Sequence, residues 1–520
     1  MLSFVDCAKK GRPSGGVRDS IPPIITRSFP ENFTTSFSEN EIRITFDEYV
    51  KLKDINKELI ISPPLKYPPI ITPTNVSKTV RIKILDTLRE NTTYSFNFGN
   101  SILDNNEGNI FPNYKYVIST GTFIDSLKLK GTVTDALLAE TKNPTAILLY
   151  EIDENYNDSI IFNEKPNYIT TTINESNNFE LTNIKEGVYQ LIALKETTNN
   201  YTFQPDTDKI AFYPTPISIP TDSTFELKLF KEIVAFKPSR PKLESKNRIS
   251  FGYNGNGDSL QIKLLSEMPK EFESIVLKQQ NKDTLNYWFK PEVTQDSLVF
   301  ETKHKTQRDT FTVRMRELFA DSIQLTPKFV GAVAQRDTLE IQSSTPLIKL
   351  NDSLISIINK DSLAVAFTSR IHRKTNNAQI IFPKTEEDNY SVTMLKGALV
   401  DFFQNESDSI VFKQVVKPVS DFSTLTLNLV NVDEYPIIAQ LVNEKFEVID
   451  KIYLTENKPI YFEYIKPGNY FIRLLFDSNN NKKWDTGNFL LKTAPEKVVY
   501  YPTKIELRPN WSWNETFILE

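Results

Sequence analysis

The chain has 520 residues and carries 61 Lys plus Arg against 66 Asp plus Glu, a formal charge of −5. That length suits roughly three to five domains rather than one core. The mild acidity excludes a general phosphate-binding surface, because nucleic-acid binders carry basic stripes. Two His and one Cys leave little for a metal or nucleophile site built on those side chains, and the 35 Phe and 21 Tyr favour strands. No run approaches the ~20 consecutive apolar residues of a membrane-spanning helix.

The chain opens with a short apolar run, Met1-Leu2-Ser3-Phe4-Val5-Asp6, then the lone Cys7 and a basic, Gly/Pro-rich run, Ala8-Lys9-Lys10-Gly11-Arg12-Pro13-Ser14-Gly15-Gly16, that reads as a flexible tether. A single Cys excludes an intrachain disulfide. The arrangement resembles the end of a bacterial lipoprotein signal and its acylated cysteine, and this resemblance implies a lipid on Cys7 and an outer-membrane address. The alternative is an ordinary thiol near a frayed terminus.

Beyond residue 20 the dominant period is two. Glu41-Ile42-Arg43-Ile44-Thr45-Phe46, Leu260-Gln261-Ile262-Lys263-Leu264, Phe311-Thr312-Val313-Arg314-Met315 and Leu425-Thr426-Leu427-Asn428-Leu429 all alternate. Alternation puts one face on a core and one in water, as in antiparallel sheets. Turn residues punctuate these runs at sandwich spacing. The expected class is all-β, a tandem array of β-sandwiches.

A first module spans 21–121. Its stretch Tyr94-Ser95-Phe96-Asn97-Phe98, followed by Ile102-Leu103-Asp104-Asn105-Asn106-Glu107-Gly108-Asn109, resembles the bacterial Ig-like domain of surface-layer-type proteins. The resemblance implies a spacer sandwich rather than chemistry. A second module spans 122–232. Leu129-Lys130-Gly131-Thr132-Val133 and Ile184-Lys185-Glu186-Gly187-Val188-Tyr189 are similar to the carboxypeptidase regulatory-like, or transthyretin-like, domain. A Gly there suits a turn with positive φ, and the Tyr plugs the sandwich edge.

The same motif recurs as Ile465-Lys466-Pro467-Gly468-Asn469-Tyr470, and Tyr213-Pro214-Thr215 recurs as Tyr501-Pro502-Thr503. Tyr213 follows Tyr189 by 24 positions and Tyr501 follows Tyr470 by 31, so the second copy holds a seven-residue insertion. The last module, 419–520, is therefore expected to be a second transthyretin-like sandwich. Leu363-Ala364-Val365-Ala366-Phe367 and Tyr390-Ser391-Val392-Thr393-Met394 echo strands of the first module, so 345–418 reads as a degenerate Ig-like unit. Residues 233–344 are β-rich and of unassigned type.

The insertion holds Asp477-Ser478-Asn479-Asn480-Asn481-Lys482-Lys483-Trp484-Asp485. Counting Asp477 as one, side-chain oxygens fall at Asp477, Asn479, Asn481 and Asp485, with the Lys483 carbonyl available between the last two. That is the ligand rhythm of a calcium loop, with an affinity of about 10⁻⁴–10⁻³ M for so few charges. The competing reading is an Asn-rich hairpin held by side-chain-to-amide bonds and capped by Trp484.

The tripeptide Asp-(Ser/Thr)-(Leu/Ile) occurs twelve times, against roughly one at ordinary residue frequencies. Asx turns leading into strands would produce it. It also resembles the O-glycosylation acceptor of exported Bacteroidetes proteins, which would place glycans on Ser126, Ser259, Ser297, Ser353 and Ser409. His304 and His372 sit among Lys and Arg and read as solvated basic turns. Tyr287-Trp288-Phe289 and Trp511-Ser512-Trp513 are either core fillers or a sugar-stacking platform.

No Ser/His/Asp order, phosphate loop or zinc spacing is present, and a glycosidase pair of carboxylates is not singled out among 66 acids. The expectation is a non-enzymatic, lipid-anchored Bacteroidetes envelope protein, docking an envelope partner at the outer membrane and binding no nucleic acid. The alternative is a carbohydrate-binding adhesive protein. Lipoproteins of that phylum sent to the surface tend to carry acidic residues after the cysteine, so Lys9 and Lys10 favour the periplasmic face.

Overall fold

The computed structural model describes residues 19–139, 144–173 and 176–519. Cys7 and the tether lie outside the described residues. Among those described, the chain is strand and loop apart from one helical turn, Ile55–Glu58, and short 3-10 turns at Asp158–Phe162, Asp352–Leu354 and Val419–Asp421. Among the described residues, no helix is long and apolar enough to cross a membrane. The fold is all-β, in two compact units: Met1–Glu232 with Thr486–Pro495, and Ile233–Asp485 with Glu496–Glu520.

The first unit begins with an Ig-like sandwich. Along Glu41–Leu52, Ile42, Ile44, Phe46 and Val50 point inward. This strand pairs with Ile25–Phe29 on one side and Val76–Lys83 on the other. A second sheet, Ile60–Ser62, Thr93–Asn97 and Lys115–Ser119, brings Phe96 and Tyr116 onto the same core. The Asp104 turn closes it. Asp104 is buried, its Oδ1 accepting the N–H groups of Glu107 at 2.7 Å and Gly108 at 2.9 Å, its Oδ2 that of Asn109 at 2.7 Å. Gly108 supplies the φ of +80° that the turn needs.

The second sandwich of this unit has Leu127–Asp135 at the centre of a three-stranded sheet. Asn178–Ile184 flanks it antiparallel and Thr224–Leu229 parallel. The facing sheet runs Tyr168–Thr171, Ala146–Glu151, Gly187–Lys195 and Lys209–Phe212. Thr486–Pro495, expected in the last module, belongs to this unit, where Phe489 is fully buried, edge-on to Phe212 at 5.4 Å.

In the second unit, the stretch without a resemblance forms a sandwich. Arg248–Asn254 pairs with Lys242–Ser245 and with Thr284–Lys290, which pairs with Glu273–Lys278. Gln261–Leu264, Ser297–His304 and Gln307–Arg314 make the opposing sheet, over a core of Ile249, Phe251, Phe289 and Phe300. The next core already includes Ile323, Leu325, Leu339 and Ile341. The boundary expected at 345 therefore falls inside it, because Leu325–Lys328 pairs with Leu339–Ser343, which pairs in turn with Asn377–Ile381. Leu363–Phe367, expected as a strand, makes only an isolated bridge at Ala364, while Val365 and Phe367 pack on the core.

The last sandwich has Ser423–Val430 between antiparallel Ile460–Ile465 and parallel Ser512–Ile518. Its facing sheet runs Val448–Leu454, Ile437–Asn443, Gly468–Phe476 and Val498–Tyr500. This strand order and its parallel closing strand are those of the second sandwich. In both, the motif tyrosine hydroxyl donates to the carbonyl four residues earlier: Tyr189 to Lys185 at 3.1 Å, Tyr470 to Lys466 at 2.7 Å. Gly187 does not carry the expected positive φ. It makes room instead, since a Cβ there would lie 3.1 Å from the Tyr189 ring.

Candidate functional site

The Asp477 loop follows the buried strand Gly468–Phe476, which delivers Asp477 to the sandwich edge with no exposed surface. Burying a carboxylate requires partners, and it has three. Oδ1 accepts the N–H of Asn481 at 3.0 Å; Oδ2 accepts the N–H of Lys482 at 2.8 Å and the hydroxyl of Tyr453 at 3.0 Å. Burial, then this contact with the carboxylate, raises the Tyr453 pKa. Asn480 and Lys482 take φ of 61° and 64°, the left-handed conformation of a tight turn.

The rest of the loop closes on two further acids. Asn479 and Asn481 both donate their side-chain amides to Asp485 Oδ2, the latter at 2.6 Å. Asn481 Oδ1 accepts the Lys483 N–H at 2.8 Å, and the Lys483 ammonium pairs with Asp258 at 3.6 Å. Glu496 holds the ends together: Oε1 accepts the Ser478 N–H and hydroxyl, and Oε2 accepts the Asp485 N–H at 2.9 Å. The half-buried Trp484 donates its indole N–H to the Glu496 carbonyl at 3.1 Å. Asp477, Asn479, Asn481, Lys483 and Asp485 thus do come together, in the hydrogen-bonded hairpin of the competing reading. Among the described residues, no group of three or more His, Cys, Asp or Glu is placed to hold a metal ion.

The serines of the repeated tripeptide are dispersed. Ser126, Ser259, Ser297, Ser353 and Ser409 are all exposed, at or next to the start of strands or, for Ser353, in a 3-10 turn. The expected Asx bond is present at Asp19, whose Oδ1 accepts the Ile21 N–H at 2.9 Å. Other aspartates of the set reach elsewhere, such as buried Asp125, which accepts the Thr93 hydroxyl at 2.7 Å.

His304 corrects its expectation: it is buried and stacked on Phe236 at 3.9 Å. His372 is exposed, with Nδ1 2.7 Å from the Thr375 hydroxyl. Tyr287, Trp288 and Phe289 are buried and offer no platform. Trp513 packs edge-on against Tyr501 at the core margin, whereas Trp511 is 46% exposed beside a pocket of about 160 Å³ lined by Phe422, Glu463, Tyr464 and Asn510. Sequence reasoning missed a polar groove on the outer face of the third sandwich, over Arg248 and Asn286. The available signal was the run of hydroxyl, amide and cationic residues at outward positions of its strands.

Residues 19–121 match the model of the bacterial Ig-like domain. No curated protein matches the chain. Among solved structures it is similar to domains 1–6 of the surface layer protein SbsC, at 10% identity over 94% of this chain and 68% of that one, with a TM-score of 0.16. It is also similar to the BSP domain of a biofilm associated protein, at 10% identity over 92% and 97%, TM-score 0.16. A tandem fragment of titin follows at 9% identity over 55% and 100%, TM-score 0.13.

Proposed function

We propose that this chain is a non-enzymatic structural protein of the bacterial cell envelope, held at the outer membrane by a lipid on Cys7. In this reading it acts as a scaffold or accessory subunit for an envelope protein partner. The observation that carries it is the tandem of β-sandwiches that opens with a bacterial Ig-like domain. Each sandwich has its own core, so the array sets a reach while leaving sheet faces and loops free to dock. Glycans on Ser126, Ser259, Ser297, Ser353 and Ser409 would sit at exposed strand entries, where they disturb no core.

The test is a gentle-detergent pull-down from the native envelope with wild type and Cys7→Ala, read by mass spectrometry and membrane fractionation. The expected result is a defined outer-membrane assembly with wild type and a soluble, solitary variant. Two soluble forms without a partner would overturn the anchor. An adhesive, carbohydrate-binding reading is favoured by one observation, the exposed edge of Trp511 beside its pocket, with Arg508 over its ring. A glycan-array signal lost in Trp511→Ala would establish it.

A further inference from the structure

On the outer face of the third sandwich a groove of about 430 Å³, within the range of ligand pockets, runs across three paired strands. Its floor is Gly252. Arg240, Lys242, Arg248 and Lys282 border it against a single acid, Glu244, whose Oε1 already accepts the Ser250 hydroxyl at 2.8 Å. Asn286 lines it from Thr284–Lys290, the strand beside the central one. It is 9% exposed, and its side-chain amide has no hydrogen-bond partner among the described residues. Arg248 pairs through Nη2 with Asp321 at 3.2 Å, yet its Nε is buried without a partner. The Arg248 Nε is closed off from the groove, but the Asn286 amide, unpaired and lining it, marks a place where an outside molecule can supply the missing bonds.

The chemistry narrows that molecule. With Arg248 paired to Asp321, the remaining cations, Arg240, Lys242 and Lys282, face only the committed Glu244 and call for an anion. The donors lie on neighbouring strands ~4.8 Å apart, so they spread over roughly 10 Å, longer than a single phosphate. Nucleobases would want an open aromatic face, but Trp288, on the same strand, is 3% exposed, with Arg248 5.0 Å over its ring and Phe403 edge-on. A peptide adds to a sheet edge, whereas here the strand under the groove is already paired on both sides. An amide that can donate and accept, beside hydroxyls and cations, suits vicinal sugar hydroxyls and ring carboxylates.

We propose that this groove is a binding site for an acidic oligosaccharide of the uronate type. It stands apart from the lipid anchor and from Trp511, so its failure would leave the fractionation of Cys7→Ala untouched.

The test titrates the full-length protein calorimetrically with a galacturonate hexamer, using cellohexaose, polyphosphate and polyglutamate as controls. The variants are Asn286→Ala, Lys242→Glu and Gly252→Val. The last fills the floor, where a Cβ at Gly252 meets nothing nearer than 3.6 Å. The expected result is binding of the galacturonate hexamer alone, weakened at least about tenfold by each variant, one lost buried bond being worth that much. Melting temperatures should stay at the wild-type value for Lys242→Glu and Gly252→Val. No binding of the hexamer would overturn the proposal. So would binding of polyphosphate or polyglutamate as strong as that of the hexamer, or hexamer affinity indifferent to Asn286→Ala and Gly252→Val, either of which reduces the groove to a bare basic patch.

Discussion

The second and last sandwiches share a strand order, and the loops that follow their motif strands can be laid on one another residue by residue. Glu196 and Asp477 each stand seven positions after the motif tyrosine. Each accepts the N–H groups four and five residues on: Asn200 and Tyr201 at 3.0 Å in one case, Asn481 at 3.0 Å and Lys482 at 2.8 Å in the other. Asn199 and Tyr201 take φ of 53° and 61°, matching Asn480 and Lys482. Asn200 and Asn481 each accept the N–H two residues further, at 3.0 Å and 2.8 Å. Two of the oxygens that read as calcium ligands therefore build a turn that the second sandwich also makes, with its own side-chain oxygens at the same four places, Glu196, Thr198, Asn200 and Gln204. What belongs to the last sandwich alone is Asn479, Asp485 and Glu496, where the other has Thr198 and Gln204 at the first two places. A spacing of oxygens is thus weaker evidence for a cation than the same spacing in a loop with no other use for them.

The sharpest way to break this equivalence is to remove the carboxylates. Asp477→Ala strands two amides and the Tyr453 hydroxyl at a buried position and should cost about 3 kcal/mol. Glu196→Ala, at a partly exposed site, should cost about 1 kcal/mol. Hydrogen exchange in peptides spanning each loop of the full chain measures both. Equal protection loss in the two variants would show that burial does not separate the loops.

A second separation comes from pH. Burial, outweighing the amide bonds, raises the Glu196 pKa. Its protonated form is favoured in the fold, so its contribution to stability is present at low pH and is lost as pH rises through the raised value. Asp104 in the first sandwich behaves oppositely. Burial opposes its charge, but the N–H groups of Gly108, Glu107, Asn109 and Asn106 together outweigh that and hold its pKa below the ordinary range. Its contribution is complete above the ordinary carboxylate pKa of about 3.9 and is lost as pH falls through its lowered value. Melting curves between pH 3 and 7, about the range where carboxylates titrate, should show Glu196→Gln and Asp104→Asn changing the slope in opposite senses.

Much of the fold was legible because its main signal has period two. Ile42, Ile44 and Phe46 alternate in sequence and are buried in fact, which suffices for the all-β class. The same period explains one misreading. In Lys303-His304-Lys305 the flanking lysines suggest solvent, yet alternation turns His304 inward. In Thr284–Lys290 both faces are covered, which decides the aromatic run for the core rather than a platform. The groove over Asn286 was half legible: its hydroxyl, amide and cationic residues at outward positions read as wetted surface, and only neighbouring strands show that several of them converge. The boundary near 345 was misplaced because Leu339–Ser343, which carries Leu325–Lys328 at its other edge, pairs with a strand some forty residues later, a long-range choice that no local pattern encodes.

Smaller effects test the motif tyrosines. Tyr189→Phe and Tyr470→Phe each remove one hydroxyl bond to a carbonyl and should cost about 1 kcal/mol. Calorimetry of the full chain should show the two losses alike; a silent variant in one sandwich would mean that its edge is held by other contacts.

The smallest expected effect is the one that bears most directly on the loop. If the Asp477 hairpin is held by its own hydrogen bonds, EDTA should change neither its exchange nor the melting of the chain, and calcium at millimolar levels, the weak end for such loops, should do no more. Asp485→Asn keeps an acceptor for the Asn479 and Asn481 amides, so it should be nearly silent as well. The opposite result would be specific. Calcium-dependent protection of residues 477–485, absent at residues 196–204 and abolished by Asp485→Asn, would show that Asn479 and Asp485 turn a shared structural turn into a cation site.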